Sequence, residues 1–164
     1  MAEAGVAALL ARSSVRLRAT AADKQDAIRQ CGQALVDSGA VDEQYIATML
    51  DRERVISTYV GEGFAIPHST ESGKAAVRRD ALSFVRFPDG VDWDGERVSV
   101  CIGIAAIGDG HLEILGALAE ILLEPVRAEA LRNAGSFEEV TRMLDPTIAA
   151  EATATGVSTQ GAAS

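Results

Sequence analysis

The chain has 164 residues and 17.1 kDa, with 48% hydrophobic and 24% charged side chains, which is the size and balance of one globular domain with a core of its own. Fifteen basic residues against 24 acidic ones leave a net charge of −9 and a pI near 4.7. That charge disfavours phosphate backbones and anionic membranes, and an aromatic content of 4% leaves few surfaces on which bases could stack, so a nucleic-acid partner is excluded.

In chain order, residues 1–14 read as a loosely ordered start, and Val15–Arg18 as a short strand. Asp23 has the character of a helix N-cap, with Asp26 suited to the first turn. Ala27, Ile28, Cys31, Ala34 and Leu35 then form a helical stripe that Gly39 ends. A second helix starts after Asp42 and runs out near Asp51-Arg52-Glu53-Arg54. Val55–Val60 and Phe64–Ile66 are short β-like runs separated by Gly61-Glu62-Gly63, and Pro67-His68 closes the second. A weak helix covers Gly73–Val77. Leu82–Phe87 alternates as a strand and ends at the turn signal Pro88-Asp89-Gly90. Val98–Ala106 carries no charge and reads as a strand covered on both faces. His111–Leu123 is helical, Pro125 opens another helix, and Ser136 with Glu139 forms a capping-box pattern before a last helix that Asp145-Pro146 stops. The sum is a single α/β domain over residues 15–148, with a mixed sheet flanked by helices; residues 149–164, rich in Ala, Thr, Ser and Gly, read as a disordered tail.

Cys31 shares a helical face with Ile28 and Leu35, and Cys101 sits inside an apolar strand, so both read as small buried hydrophobes in a reducing compartment. Gly5–Ala11 is apolar but follows no basic region, and no apolar run reaches the roughly 18 residues of a membrane span. A cytoplasmic protein without membrane insertion is the expectation.

The two histidines concentrate the chemistry. His68 follows the rigid Pro67 at the end of a strand, and His111 follows Gly110 at a helix start, where free N–H groups favour an anion. Each alone also reads as an ordinary residue: His68 as a surface-loop histidine, His111 as one hydrogen-bonded locally. Both nevertheless leave strands of one α/β sheet, where clefts form. No set of zinc ligands accompanies them; His111-Leu112-Glu113 is only half of a two-histidine-one-carboxylate site, so no metal is expected. There is no Gly-x-Ser-x-Gly elbow and no nucleotide-binding glycine loop, so neither a serine hydrolase nor a nucleotide cofactor is indicated. Phosphoryl transfer through a histidine remains. It needs a neutral imidazole nitrogen, in-line access and positive charge around the equatorial oxygens.

Specific residues sharpen that reading. Met49-Leu50-Asp51-Arg52-Glu53-Arg54, then Ser57-Thr58-Tyr59-Val60-Gly61-Glu62-Gly63, then Ala65-Ile66-Pro67-His68 closely resembles enzyme IIA of the bacterial sugar phosphotransferase system, of the mannitol/fructose type. His111-Leu112-Glu113-Ile114-Leu115 with Leu118-Ala119-Glu120-Ile121-Leu122 is similar to the family's second motif, and the tyrosine and Gly-Glu-Gly look most mannitol-like. The resemblance implies a mixed five-stranded sheet. It implies that His68 accepts a phosphoryl group from phospho-HPr, through Nε2, and passes it to a cysteine of a IIB domain. It implies that His111 binds phosphate oxygens in the same depression, that Arg52 is the active-site arginine and that Glu62 is the nearby carboxylate. Arg52 suits the role as a permanently charged fork for phosphate oxygens, and Glu62 as a group that would fix the His68 tautomer; their plainer alternatives are a helix-end surface arginine and a solvated turn carboxylate. One departure is Ser69, where the family commonly has a glycine that would permit positive φ.

With no membrane segment or IIB-like cysteine loop in the sequence, the IIB/IIC permease components are expected on separate polypeptides. The acid-rich stretch 109–145 would then favour partners with basic or neutral faces. A fructose-type or nitrogen-regulatory IIA would use the same His68. A regulatory binding module that kept the fold would not transfer phosphate.

Overall fold

Several helix boundaries follow their capping residues. In the computed structural model, which describes residues 6–144, helix α1 (Lys24–Asp37) starts at Asp23, whose carboxylate accepts the Asp26 N–H at 2.8 Å. It ends in a Schellman motif: Gly39 takes φ +82°, its N–H reaches the Val36 carbonyl, and the Ala40 N–H reaches that of Leu35. Helix α2 is Gln44–Val55. Helix α3 is Gly110–Leu122; α4 (Pro125–Arg132) has its proline in the first turn and the Glu124 carboxylate on the N–H groups of Val126 and Arg127. In α5 (Phe137–Leu144) the Ser136 hydroxyl accepts the Glu139 N–H at 3.1 Å.

The strands are β1 (Leu10–Arg16), β2 (Tyr59–Gly61), β3 (Phe64–Ala65), β4 (Ala81–Trp93) and β5 (Glu96–Ala105), in the order β1-β4-β5-β3-β2. β1 pairs with β4 and β3 with β5 in parallel, while β4–β5 and β2–β3 are antiparallel. This is the expected mixed five-stranded α/β sheet. Alternation divides the strand residues between two cores. Leu82, Phe84, Val100, Ile102 and Ile104 pack under α3, α4 and α5; Val85, Phe87, Cys101 and Ala105 pack under α1 and α2. Both cysteines are fully buried, and burial pushes the Cys101 thiol well up. Close packing of α1 on the sheet depends on Gly103, where a Cβ would come within 2.4 Å of the Ser83 hydroxyl on β4 and 3.1 Å of Cys31 Sγ on α1.

Several expectations need correcting. The start is not loose from residue 6 onward: Ala7–Leu9 forms a 3₁₀ turn, Val6 and Leu10 are buried, and β1 begins at Leu10 rather than Val15. Val55 belongs to α2, and of the run 55–60 only Tyr59 and Val60 are strand, in a β2 that continues to Gly61. The weak helix at Gly73–Val77 is a 3₁₀ turn over Glu71–Ala76. Pro88-Asp89-Gly90 does not end its strand. The register with β5 shifts there and β4 continues to Trp93; the true turn is Asp94-Gly95, both at positive φ, the geometry a two-residue hairpin requires. The expected tail at 149–164 lies outside the described residues. Among those residues, no helix is long and apolar enough to cross a membrane.

Candidate active site

β3 and β5 run parallel as neighbours, so the segments leaving their C-terminal ends emerge side by side at one sheet edge. Pro67 and His68 follow β3; His111 follows β5, in the first turn of α3. The two rings stack with centroids 6.2 Å apart and planes 25° apart. Tyr45, Ser69, Lys74 and Ala106 line the depression between them.

The backbone around His68 is tied on both sides. The Ile66 N–H donates to the Thr58 carbonyl at 3.0 Å, and the Pro67 carbonyl accepts the Ile104 N–H at 3.0 Å. His68 Nδ1 lies 2.9 Å from the Ile66 carbonyl. A carbonyl oxygen only accepts, so Nδ1 carries the proton and the lone pair resides on Nε2. Burial lowers the pKa of His68 and the nearby Arg52 charge adds to the effect, while the Ile66 carbonyl opposes them. The result is a neutral imidazole in one tautomer.

Arg52 is in the last turn of α2, where its guanidinium Nη1 donates to the Ile56 carbonyl at 2.7 Å. His111 Nδ1 is buried without a hydrogen-bond partner among the described residues. The loop before His111 is held by the Asp80 carboxylate on the Ile107 N–H at 2.7 Å and by Lys74, which pairs with Asp109 at 3.2 Å and Glu71 at 3.1 Å.

The structure stacks His68 on His111 and leaves Arg52 near enough for its charge to lower the His68 pKa, whereas Glu62 is engaged elsewhere. Glu62 sits at the tip of the β2–β3 hairpin with φ +56°, between Gly61 and Gly63, which are also left-handed. Its carboxylate faces Arg132 at 3.7 Å, and Arg132 also donates to its carbonyl. The tautomer of His68 is therefore set by a main-chain carbonyl, not by Glu62. Ser69 does not need the freedom of glycine. The non-glycine residues with positive φ among those described are Glu62 and Asp94, so serine fits the loop unstrained. The Ser69 hydroxyl donates to the Thr70 carbonyl at 2.8 Å.

Two side chains around the site escape a reading of the sequence. Tyr45 is buried and its hydroxyl donates to the Ile104 carbonyl at 2.6 Å, under the floor of the depression. Burial raises its pKa, against hydrogen bonds from Ser69. Glu53, next to Arg52, is buried among Thr58, Trp93 and Lys24. Nothing in a charged helix end such as Asp51-Arg52-Glu53-Arg54 announces which carboxylate turns inward.

Residues 8–146 match the family model of the phosphoenolpyruvate-dependent sugar phosphotransferase system, EIIA 2. The chain belongs to this enzyme IIA family. It is 39% identical over 137 residues to the mannitol-specific phosphotransferase enzyme IIA component of Staphylococcus aureus, covering 84% of this chain and 95% of that protein. Among solved structures, it resembles Escherichia coli enzyme IIA-mannitol in complex with phosphorylated enzyme IIB-mannitol, with a TM-score of 0.76, 33% identity and coverage of 83% of this chain and 98% of that one. The crystal structure of Escherichia coli IIA-mannitol gives a TM-score of 0.75 at 34% identity, with 82% and 97% covered. As an enzyme IIA, the chain is a component of a sugar phosphotransferase system, and the five-stranded mixed sheet is that of its relatives.

Proposed function

We propose that His68 is a phosphoryl acceptor and donor, taking the group from phospho-HPr and passing it to a IIB cysteine. The observation that supports this most is the fixed tautomer, with Nδ1–H on the Ile66 carbonyl and a free lone pair on Nε2. In the first step the Nε2 lone pair attacks phosphorus in line with the partner's N–P bond. That bond breaks, and its electron pair returns to the partner's histidine. The His68 ring becomes a phosphoimidazolium whose Nδ1–H stays on the Ile66 oxygen. In the second step a thiolate displaces the ring, the N–P bond electrons return to Nε2, and neutral His68 is restored.

Arg52 and His111 serve the three equatorial oxygens, the arginine as a permanent cation and His111 from the helix start beside it. Exchange between two histidines is near-isoenergetic, so this reaction calls on neither a metal nor a nucleotide. The relatives' names support mannitol or a related polyol as the sugar handled downstream. That choice belongs to a IIC permease partner, with this chain working in the cytoplasm. Incubation with enzyme I, HPr and phosphoenolpyruvate should label the wild type in an acid-labile, alkali-stable linkage. His68→Ala should take no label, and a labelled variant would overturn the assignment.

A further inference from the structure

Glu53 takes no part in these steps, yet among the described residues it is the one charged side chain buried in the fold. Its carboxylate accepts from the Thr58 N–H at 3.1 Å and the Thr58 hydroxyl at 2.5 Å, and from Trp93 Nε1 at 3.0 Å; the Lys24 ammonium lies 3.5 Å away. Every neighbour is a donor, so an acceptor-only carboxylate satisfies them all, whereas an amide would turn a donor of its own against them. A buried charge is a poor route to stability when apolar packing would serve as well, which directs attention to what the carboxylate orients.

Thr58 is the answer. Its carbonyl accepts the Ile66 N–H at 3.0 Å, and the Ile66 carbonyl holds His68 Nδ1 at 2.9 Å. The clamp thus reaches the imidazole through two intervening residues. The same clamp closes the loop after α2, and that loop presents the Ile56 carbonyl on which Arg52 rests at 2.7 Å. Lys24 pairs in turn with Asp94 at 2.8 Å, so the start of α1 and the β4–β5 turn brace the carboxylate from behind.

We propose that Glu53 is a positioning residue for phosphoryl transfer, fixing Thr58 so that the Ile66 carbonyl keeps the proton on Nδ1 of His68 and the Arg52 guanidinium keeps its seat on the Ile56 carbonyl. The inference rests on His68 being the acceptor. It gives Glu53 the tautomer-fixing task that the sequence assigned to Glu62, exercised through the main chain.

The test uses the full chain and Glu53→Gln, with two readouts. The first is ¹⁵N NMR of the His68 ring without any phosphoryl donor. The wild type should show the Nδ1–H tautomer, and Glu53→Gln a mixture of the two. The second is acceptance from phospho-HPr, which should slow by about 10–100-fold in kcat with KM little changed, because the docking surface is untouched. Should Glu53→Gln fail to fold, Thr58→Val removes the hydroxyl and keeps the N–H. It should move both readouts the same way by a smaller factor, while Thr58→Ser restores them. A folded Glu53→Gln, or a Thr58→Val standing in for it, with lower thermal stability but the wild-type tautomer and kcat would overturn the proposal. A wild type that takes no phosphoryl group on His68 would instead overturn the functional reading, with the tautomer comparison still deciding whether Glu53 sets the ring.

Discussion

The two histidines face each other from arms of the fold that are held in opposite ways. The His68 arm is tied by main-chain hydrogen bonds to Thr58 and Ile104 and backed by the buried Glu53 cluster. The His111 arm rests on the Asp80 carboxylate at the Ile107 N–H and on ion pairs whose acidic ends are exposed, Lys74 with Asp109 and Glu71, and displays Ile107 and Leu112 to solvent. A nucleophile gains from a single prepared geometry, since orientation lowers the barrier directly. A surface that must meet one partner and then another gains from apolar side chains left uncovered and from charges that cost little to rearrange. Under the proposed role of His68, the difference puts the chemistry in the tied arm and adaptability in the other.

Substitutions in the two arms should therefore differ in kind. Arg52→Gln should slow phosphoryl acceptance by about 100-fold with the fold intact, since it removes a cation from the developing charge. Because Arg52 also lowers the His68 pKa, the same variant should raise it in an NMR titration. Unaltered kinetics would remove Arg52 from the site. His111→Ala should cost less, about 10-fold, with acceptance still detectable; wild-type rates would make His111 a packing residue only.

A smaller effect, on the pH dependence of stability, belongs to the His68 arm. Burial holds the His68 pKa below its ordinary value, with Arg52 and His111 acting in the same direction and Glu53 against them. Folded His68 is thus neutral at a pH where the unfolded chain's histidine already binds a proton. Its contribution to stability is full above the unfolded pKa of about 6.5 and is lost as pH falls toward the lower folded value. Denaturation of wild type against His68→Gln should show a shallower pH slope for the variant in that window; equal slopes would contradict the burial argument. The smallest effect belongs to Asp109→Asn. The Asp109 carboxylate is solvent-exposed, and the melting temperature should not move measurably. A clear drop would mean that the His111 arm is held more firmly than its contacts indicate.

Much of this was legible in the residues, because it is encoded locally. Asp23, Gly39, Pro125 and Ser136 mark helix ends by chemistry that acts within a few positions. Pro67-His68 after an apolar run places a histidine at a strand exit whatever the rest of the fold does. Pro88-Asp89-Gly90 misleads because a bulge and a turn ask for the same residues; only pairing with β5 decides between them. Glu53 was illegible for a different reason. Its burial comes from Lys24 and Trp93, which the topology brings across from α1 and β4, and no local pattern records that meeting. Glu62, in the more conspicuous Gly-Glu-Gly, drew the role that the buried carboxylate is better placed to fill.

The central claim is that His68 receives the phosphoryl group on Nε2 while Nδ1–H remains on the Ile66 carbonyl. ¹⁵N and ³¹P NMR of ring-labelled protein, phosphorylated by enzyme I, HPr and phosphoenolpyruvate, tests it most directly. The expected result is one phosphohistidine, with the N–P coupling at His68 Nε2 and the proton still on Nδ1. Coupling at Nδ1, or phosphate on another residue, would contradict the account.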